Sequence, residues 1–327
     1  LMFLDTSINM AMQPFKMLVG DMVNEKQKAK AYSIQSFLCN AGSVMGYVFP
    51  FVFTFIGISN VAEKGVVPDS VIWSFYIGAA ILILCVIYTT SKVKEWNPQE
   101  YNEYNGTASS NKVSDVDTLP LDDQGGGWIT LLKKAPSTFW KVGLVQFFSW
   151  AAMLYMWNYT TGAIAEVVWN TTDPASEAFQ EAGNWVGILF AVQAVGSVIW
   201  AALLPQFKNT KLAYAISLII GAIGFVLVPY ISNQYMQFVP FLMIGCAWAA
   251  MLAMPFTFVT NALQGYGHMG AYLGLFNGTI CIPQIVAALL GGVILTLVGG
   301  HQSTMMIVAG VSFLIGSVCV AGIREKK

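Results

Sequence analysis

Apolar residues in this chain are grouped in long blocks that short polar stretches separate. A helix of about 20 predominantly apolar residues can cross the hydrocarbon core of a bilayer. Blocks of that length occur at 1–19, 31–57, 71–90, 140–164, 183–204, 212–230, 236–259, 270–298 and 303–322. They are too long, and alternate too little, to be strands of a membrane barrel, and lipid admits only helices or closed barrels. The pattern therefore predicts an all-α membrane protein with nine transmembrane helices.

Composition supports this interpretation. Hydrophobic residues make up 56% of the 327 residues, charged residues only 10%, and the mean hydropathy is +0.61. A soluble domain carries about 25% charged residues. The net charge of −1 gives no sign of nucleic-acid binding. Because the sequence shows no nucleotide-binding loop, metal-ligand spacing or catalytic Ser/His/Asp group, we expect neither an enzyme nor a cofactor or metal site.

Lysine and arginine placement predicts the orientation. If the loop 20–30 lies in the cytoplasm, the alternation of spans puts 15 of the 16 basic residues on the cytoplasmic side and leaves only Lys64 outside. The acidic loop 165–182, which includes Glu166, is then outside. We expect a multi-pass protein of the cell membrane with a cytoplasmic C-terminus.

The blocks also suggest a domain organisation. Residues 97–127 are polar and rich in Asn, Ser, Gly and Asp, which is typical of a mobile linker. Residues 128–139 resemble a short amphipathic helix on the inner leaflet. The chain starts inside an apolar block without a signal peptide, so we expect a larger protein from which three helices are missing. The predicted division is 1–90, the second half of an N-terminal six-helix bundle; 91–139, a cytoplasmic linker; and 140–327, a C-terminal six-helix bundle.

Asp5 is the deep ionisable residue of the predicted spans. It precedes Lys16 by 11 residues, about 16 Å along a helix, which is near mid-bilayer. Asn9 lies on the same stripe, and Pro14 favours a kink. An ionisable group at this depth indicates a functional site facing a water-filled cavity. The alternative is a buried hydrogen bond between two helices.

Amides and tryptophans share one face of the fourth block. Gln146, Trp150 and Trp157 recur at helical spacing, and Asn158 lies beside them. Sugars present polar hydroxyl edges and apolar CH faces, so amides next to flat rings favour a sugar site. Trp157 could instead belong to an interfacial aromatic belt.

Weaker polar signals occur in other blocks. Asn40 lies on a polar stripe of the second block, where small polar residues also serve as contacts between helices. Asn277 and Gln284 flank Pro283 in the eighth block, a pattern typical of a broken helix at a binding site. A separate repeat, Gly270-x₃-Gly274-x₃-Gly278, predicts close helix packing. Gln193 and Trp248 stand alone in apolar surroundings and are interpreted as packing residues.

Several segments together resemble the glycoside-pentoside-hexuronide:cation symporters, in particular the branch of sucrose and maltose transporters. Residues 4–21 resemble the fourth helix of that family and its exit loop, and residues 31–47 (AYSIQSFLCNAGSVMGY) resemble the fifth. Residues 135–161 are similar to the start of the seventh helix and are the most specific match. Residues 274–284 are similar to the eleventh.

The resemblance implies a twelve-helix major facilitator bundle, of which this chain carries nine, with alternating access between two six-helix halves. It implies uptake of a disaccharide or glycoside with a cation, usually a proton, and a coupling or sugar-binding role for Asp5. One departure is the loop 205–211 (PQFKNTK), a poor version of the facilitator gating motif.

The hypothesis from sequence is therefore a sugar:cation symporter whose partners are a sugar, a proton or sodium ion and the lipid bilayer, with no nucleic acid. The candidate substrate-binding residues are Asp5, Asn9, Asn40, Gln146, Trp150, Trp157, Asn158, Asn277 and Gln284, with Asp5 also coupling the cation. One alternative is a facilitator-type exporter, which predicts a more apolar cavity. The other is a non-transporting sugar sensor on a transporter scaffold, a class that often carries long cytosolic tails.

Overall fold

The structure, a computed structural model, describes residues 25–59, 66–93, 100, 128–207, 209–263 and 269–323. Regular secondary structure in these ranges is entirely helical, which confirms the predicted all-α class. The helices are α1 (Glu25–Phe55), α2 (Asp69–Lys92), α3 (Trp128–Lys134), α4 (Ser137–Val168), α5 (Glu177–Leu203), α6 (Thr210–Leu227), α7 (Phe238–Leu263), α8 (Met269–Leu297) and α9 (Gln302–Val320). Short 3₁₀ turns at Leu204–Gln206 and Val228–Tyr230 follow α5 and α6.

The chain forms two compact units. One consists of residues 1–46 and 71–115, and the other of residues 47–70 and 116–327. Helices α3 to α9 belong to the second unit. The domain boundaries expected at residues 90 and 139 remain a prediction.

Six described helices are long and apolar enough to cross a membrane: Asp69–Lys92, Glu177–Gln206, Thr210–Tyr230, Phe238–Leu263, Ala271–Leu297 and Gln302–Val320. The predicted span 1–19 lies outside the described residues. The spans 31–57 and 140–164 correspond to α1 and α4, which are not among these six. The count of nine spans is therefore not confirmed. In α4 the reason is its content of Gln, Asn, Thr, Tyr and Trp side chains.

Local signals at the helix ends explain several boundaries. The Ser176 hydroxyl accepts a hydrogen bond from the Phe179 N–H at 3.2 Å and caps α5, and the Asn209 amide oxygen caps α6 through the Leu212 N–H at 3.0 Å. Helix α8 ends at Leu297, and Gly299 and Gly300 follow it with φ of +97° and +79°. These left-handed conformations suit glycine, which lacks a Cβ. The capping residues thus set where these helices start and stop.

The predicted amphipathic helix 128–139 is shorter than expected. Helix α3 ends at Lys134, and α4 begins at Ser137 after an extended Pro136 with φ −62° and ψ 150°. Proline lacks the N–H that would continue α3, but it is well tolerated just before a new helix. The segment is therefore a helix–corner–helix rather than one continuous helix.

Helix α4 lies at the centre of the second unit, where it packs against α9, α8, α5 and α7. Its buried side chains are distributed along nearly its whole length: Phe139, Val142, Val145, Ala152, Met153, Met156, Ala163, Ile164 and Ala165 are among them. Helix α9 approaches α4 closely, because the Gln302 side chain covers Gly162 and the Ser149 hydroxyl lies against Gly316. α4 is thus enclosed by other helices over most of its surface.

Glu166 links α4 to the start of α9. It was expected in the loop 165–182, but it lies in the last turn of α4. Its two carboxylate oxygens accept hydrogen bonds from the backbone N–H groups of Gln302 at 2.8 Å and Ser303 at 3.0 Å. These N–H groups begin α9 and have no acceptor within that helix, and a negative charge there also complements the helix dipole. Glu166 therefore caps α9 from a neighbouring helix.

Glycines bring other helix pairs into contact. A Cβ added to Gly245 of α7 would lie 2.8 Å from the Ser197 backbone N–H nitrogen of α5 and closer still to the Gln193 carbonyl oxygen. Gly310 of α9 similarly faces the Ala222 carbonyl of α6 at 3.0 Å. The repeat expected to pack closely does not do so within the described residues: a Cβ at Gly274 would meet nothing within 4 Å, and one at Gly278 only Ile282 of its own helix. Spacing identified small residues but not which of them face a neighbouring helix.

Gly245→Ala should lower the stability of the folded protein. The added methyl group would collide with backbone atoms of α5, which cannot rotate away, and overpacking of this kind costs about 1–3 kcal/mol. The thermal unfolding midpoint of the full-length protein in detergent measures the effect. Gly292→Ala in α8 is the control, since a Cβ there would meet nothing within 4 Å of it among the described residues. Equal midpoints for the two variants would contradict the α5–α7 contact.

Glu166→Ala should also lower the unfolding midpoint, because two partly buried N–H groups at the start of α9 lose their acceptor at a cost of about 1–3 kcal/mol. Glu166→Gln keeps one acceptor oxygen and should fall between wild type and Glu166→Ala. A Gln variant as unstable as the Ala variant would show that the carboxylate does not act as a two-oxygen cap.

Candidate functional site

Three indole rings from α4 and α7 meet within the second unit. Trp150 and Trp157 are seven residues apart on α4, so they project from one face. Trp248 of α7 lies against both. Its ring centroid is 5.6 Å from that of Trp150 and 5.9 Å from that of Trp157, both edge-to-face. The two α4 rings are 6.4 Å apart. Such tilted arrangements are the favourable ones for aromatic rings, and we call these three residues the tryptophan cluster.

Gln146 lies one helical turn before Trp150 and completes the arrangement. The Trp150 indole N–H donates a short hydrogen bond to the Gln146 amide oxygen. An indole N–H can only donate, so the oxygen of the amide must face Trp150 and the NH₂ group must point away from it. The contact thereby fixes the orientation of the Gln146 side chain.

The Gln146 NH₂ group has no hydrogen-bond partner in the part of the chain that the structure describes, although the residue is fully buried. A buried donor without an acceptor costs about 1–3 kcal/mol. Buried polar groups in folded proteins are generally paired, so an exception of this kind requires an explanation. A ligand oxygen that accepts from this group would supply the missing partner.

Exposure increases across the tryptophan cluster. Trp150 is 8% exposed, Trp157 is 37% exposed, and Trp248 is half-buried. The cluster therefore extends from the buried Gln146 amide to an accessible surface. It combines flat apolar faces with one buried donor, which suits a ligand that has both an apolar face and polar oxygen atoms.

The cluster lies near the middle of α4. Trp150 is 13 residues from the first residue of the helix and 18 from the last, about 20 Å and 27 Å along the axis. Both distances exceed half of a hydrocarbon core of about 30 Å, which favours a position of Trp150 inside the core rather than at an interface.

The charge of this region is also informative. The buried polar residues among those that the structure describes are serine, threonine and glutamine, and none of them carries a carboxylate or an ammonium group. An unpaired ion is costly to bury. Among the described residues, the surroundings of Gln146 therefore suit a neutral ligand.

The other predicted site residues of the second unit lie on α4 and α8, and fewer contacts support their assignment to the site. Asn158 follows Trp157 and is exposed. Asn277 and Gln284 are half-buried on α8, and the Asn277 amide is 3.9 Å from the Cys281 sulfur of its own helix. α8 packs against α4 through Phe139 and Phe276, whose ring centroids are 5.4 Å apart.

The predicted residues from the start of the chain have no described geometry. Asp5 and Asn9 lie outside the described residues, and Asn40 lies in α1 with a side chain that is also outside them. Their assigned roles remain predictions.

Trp248 is the residue that sequence reasoning placed outside the site. Its neighbours in α7, Ala247, Ala249 and Ala250, are apolar and buried, so no polar stripe marks its face of the helix. The one signal in the sequence was the residue type itself, since a tryptophan in the middle of an apolar span needs a partner for its N–H. Only the packing of α7 against α4 shows which rings it meets.

The comparisons with known proteins agree with a membrane transporter. A sequence profile described as Major Facilitator Superfamily matches residues 8–288, which is most of the chain. No curated protein matches the chain closely enough to name a substrate. The match covers the tryptophan cluster and begins three residues after Asp5. The chain therefore belongs to the Major Facilitator Superfamily, whose members are multi-pass membrane transporters and not enzymes.

Proposed function

We propose that this transporter imports a disaccharide or glycoside of the sucrose or maltose type, by symport with a cation. The observation that carries the proposal is the tryptophan cluster together with the unpaired NH₂ group of Gln146. The proton is the proposed cation, with sodium as the alternative.

A sugar matches this arrangement better than an apolar or a charged solute. An apolar solute would leave the Gln146 donor buried and unpaired, so its binding would not recover the cost of about 1–3 kcal/mol. A charged solute would need an opposite charge, and the buried residues described around the cluster offer none. A sugar is neutral, has an apolar CH face for the indole rings, and carries oxygen atoms that accept from the amide.

The proposed roles follow from the positions. Trp157 and Trp248, the more accessible rings, stack on the sugar first. Trp150 holds the Gln146 amide so that its NH₂ group donates to a sugar oxygen at the buried end. The other proposed contacts are Asn158, Asn277 and Gln284, and Asn9 and Asn40 are proposed on sequence grounds alone.

Coupling is assigned to Asp5 on sequence grounds. An isolated carboxylate inside the membrane makes reorientation of the empty carrier costly, because the charge must leave water. Binding of a proton would neutralise it, so the carrier would reorient readily with sugar and proton together. This is alternating access with a binding site near the bilayer midplane.

We further propose that the protein lies in the cell membrane with its C-terminus in the cytoplasm. The support is the distribution of basic residues, 15 of 16 on one side in the predicted topology.

Gln146→Leu should reduce sugar transport by about 5- to 150-fold, the factor that corresponds to 1–3 kcal/mol for a lost buried hydrogen bond. The measurement is counterflow of labelled sucrose, maltose and related glycosides by the full-length protein in liposomes. Gln193→Leu is the matched control, because Gln193 is also a buried glutamine but lies on α5 and outside the tryptophan cluster. Wild-type counterflow by Gln146→Leu, or a wild-type protein that moves no glycoside of the panel, would refute the proposed function.

Asp5→Asn should abolish accumulation of sugar driven by a pH gradient while counterflow at equal pH persists. The neutral amide cannot carry a proton, but it can still donate and accept hydrogen bonds. Retained counterflow serves as the internal control for a folded carrier. An accumulation ratio equal to that of the wild type would exclude Asp5 as the coupling residue.

A further inference from the structure

We propose that α3 and the first turns of α4 form a binding site for the headgroup of an anionic phospholipid. The site consists of Lys133, Lys134 and Lys141 with the exposed side chains Trp128, Ile129, Trp140 and Leu144, and we call it the lysine corner. It does not depend on the proposed sugar substrate.

The corner is held in place by packing on its inner side. Leu131 is buried and Leu132 half-buried, and α3 lies against α8. The Phe139 N–H donates to the Pro136 carbonyl at 2.9 Å, and the Ala135 N–H donates to the Leu132 carbonyl at 3.2 Å. These contacts fix the turn between α3 and α4, so the backbone positions of the lysines on either side of it are also fixed.

The outer side of the corner is apolar where a water-facing surface would be polar. Trp128, Ile129, Trp140 and Leu144 are each half or more exposed. Tryptophan is enriched at the boundary between headgroups and acyl chains, because its ring is amphipathic. Exposed apolar groups at the end of a membrane helix bundle thus indicate contact with lipid rather than with water.

The charge of the lysines next to this surface is the second feature of the corner. Lys133 and Lys134 are exposed and Lys141 is half-buried, and among the described residues none of the three forms an ion pair with a carboxylate. The sequence from residue 128 to residue 165 contains no Asp or Glu at all. Such a basic group beside a membrane attracts anionic headgroups.

The length of α4 places the lysines at headgroup level. Its 32 residues extend about 48 Å, well beyond a hydrocarbon core of about 30 Å. With Trp150 deep in the core, the first turns of α4 reach the polar layer, where lipid phosphates lie. A free phosphate would satisfy the lysines but not the apolar side chains beside them, so the structure favours the lipid.

The test uses a photo-crosslinking amino acid at Ile129 of the full-length protein, in bilayers of phosphatidylcholine with a minority of phosphatidylglycerol. Mass spectrometry of the captured lipid gives its composition. We expect phosphatidylglycerol to be enriched at least about five-fold over the bulk, because each lysine near an anionic surface contributes about 1 kcal/mol. The matched control places the same crosslinker at Leu297, an 80% exposed residue.

Leu297 is a fair control because it lies at the opposite end of the bundle. α4 and α8 run in the same direction, since Phe139 meets Phe276 near their starts and Tyr159 meets Gly291 towards their ends. Leu297 therefore faces the other leaflet, and it should capture lipid in the bulk ratio.

Replacement of all three lysines by glutamine should return capture at Ile129 to the bulk ratio, and Lys134→Gln alone should lower the enrichment by part of that amount. The exposed positions of Lys133 and Lys134 make these substitutions compatible with folding. Bulk-ratio capture by the wild type, or unchanged enrichment in the triple variant, would overturn the proposal. Loss of the enrichment in excess inorganic phosphate, with no loss in sodium chloride of the same ionic strength, would also overturn it, because it would identify the ligand as a phosphate ion.

Discussion

The enclosure of α4 by neighbouring helices is the constraint on which the rest of this structure depends. A helix that carries Gln, Asn, Thr and several aromatic residues is a poor membrane span on its own, since lipid offers no hydrogen-bond partners. Inside the second unit α4 is covered by α9, α8, α5 and α7, which are themselves long and apolar. The surrounding helices therefore provide the apolar surface that contacts lipid, and α4 is free to carry polar groups.

Two kinds of contact maintain this enclosure. Small residues let helices approach until side chains and backbones touch, as at Gly162 beneath Gln302 and Gly245 against α5. Hydrogen bonds then hold the ends in register, the clearest being the two that Glu166 accepts from the start of α9. An error in either would shift α4 relative to α7 and so separate Trp248 from the two α4 rings. The tryptophan cluster is thus a product of helix packing some distance away from it.

Within that frame, one hydrogen bond prepares the candidate site. The Trp150 N–H orients the Gln146 amide, and the amide then presents a buried donor that has no partner among the described residues. Such a group destabilises the empty protein slightly and becomes favourable once an acceptor binds. The rings at the accessible end and the donor at the buried end are the geometric basis of the proposed sugar site.

The sequence by itself determined the helical class, most of the helix positions after residue 128, and the face of α4 on which Gln146, Trp150 and Trp157 lie. These depend on local periodicity and on lipid as solvent, both of which act within one segment. The sequence did not reveal the break at Pro136 or the role of Glu166. It also did not reveal that Gly274 and Gly278 make no close contact with another helix among the described residues. Only the tertiary structure decided that Trp248 meets the α4 indoles and that the Gln146 NH₂ group has no partner among the described residues. It also decided that, within the same residues, Gly245 rather than Gly274 marks a close contact. The physical reason is that helices of similar hydropathy can rotate about their axes without changing their own energy in lipid, so their facing surfaces are selected by packing between segments distant in the chain.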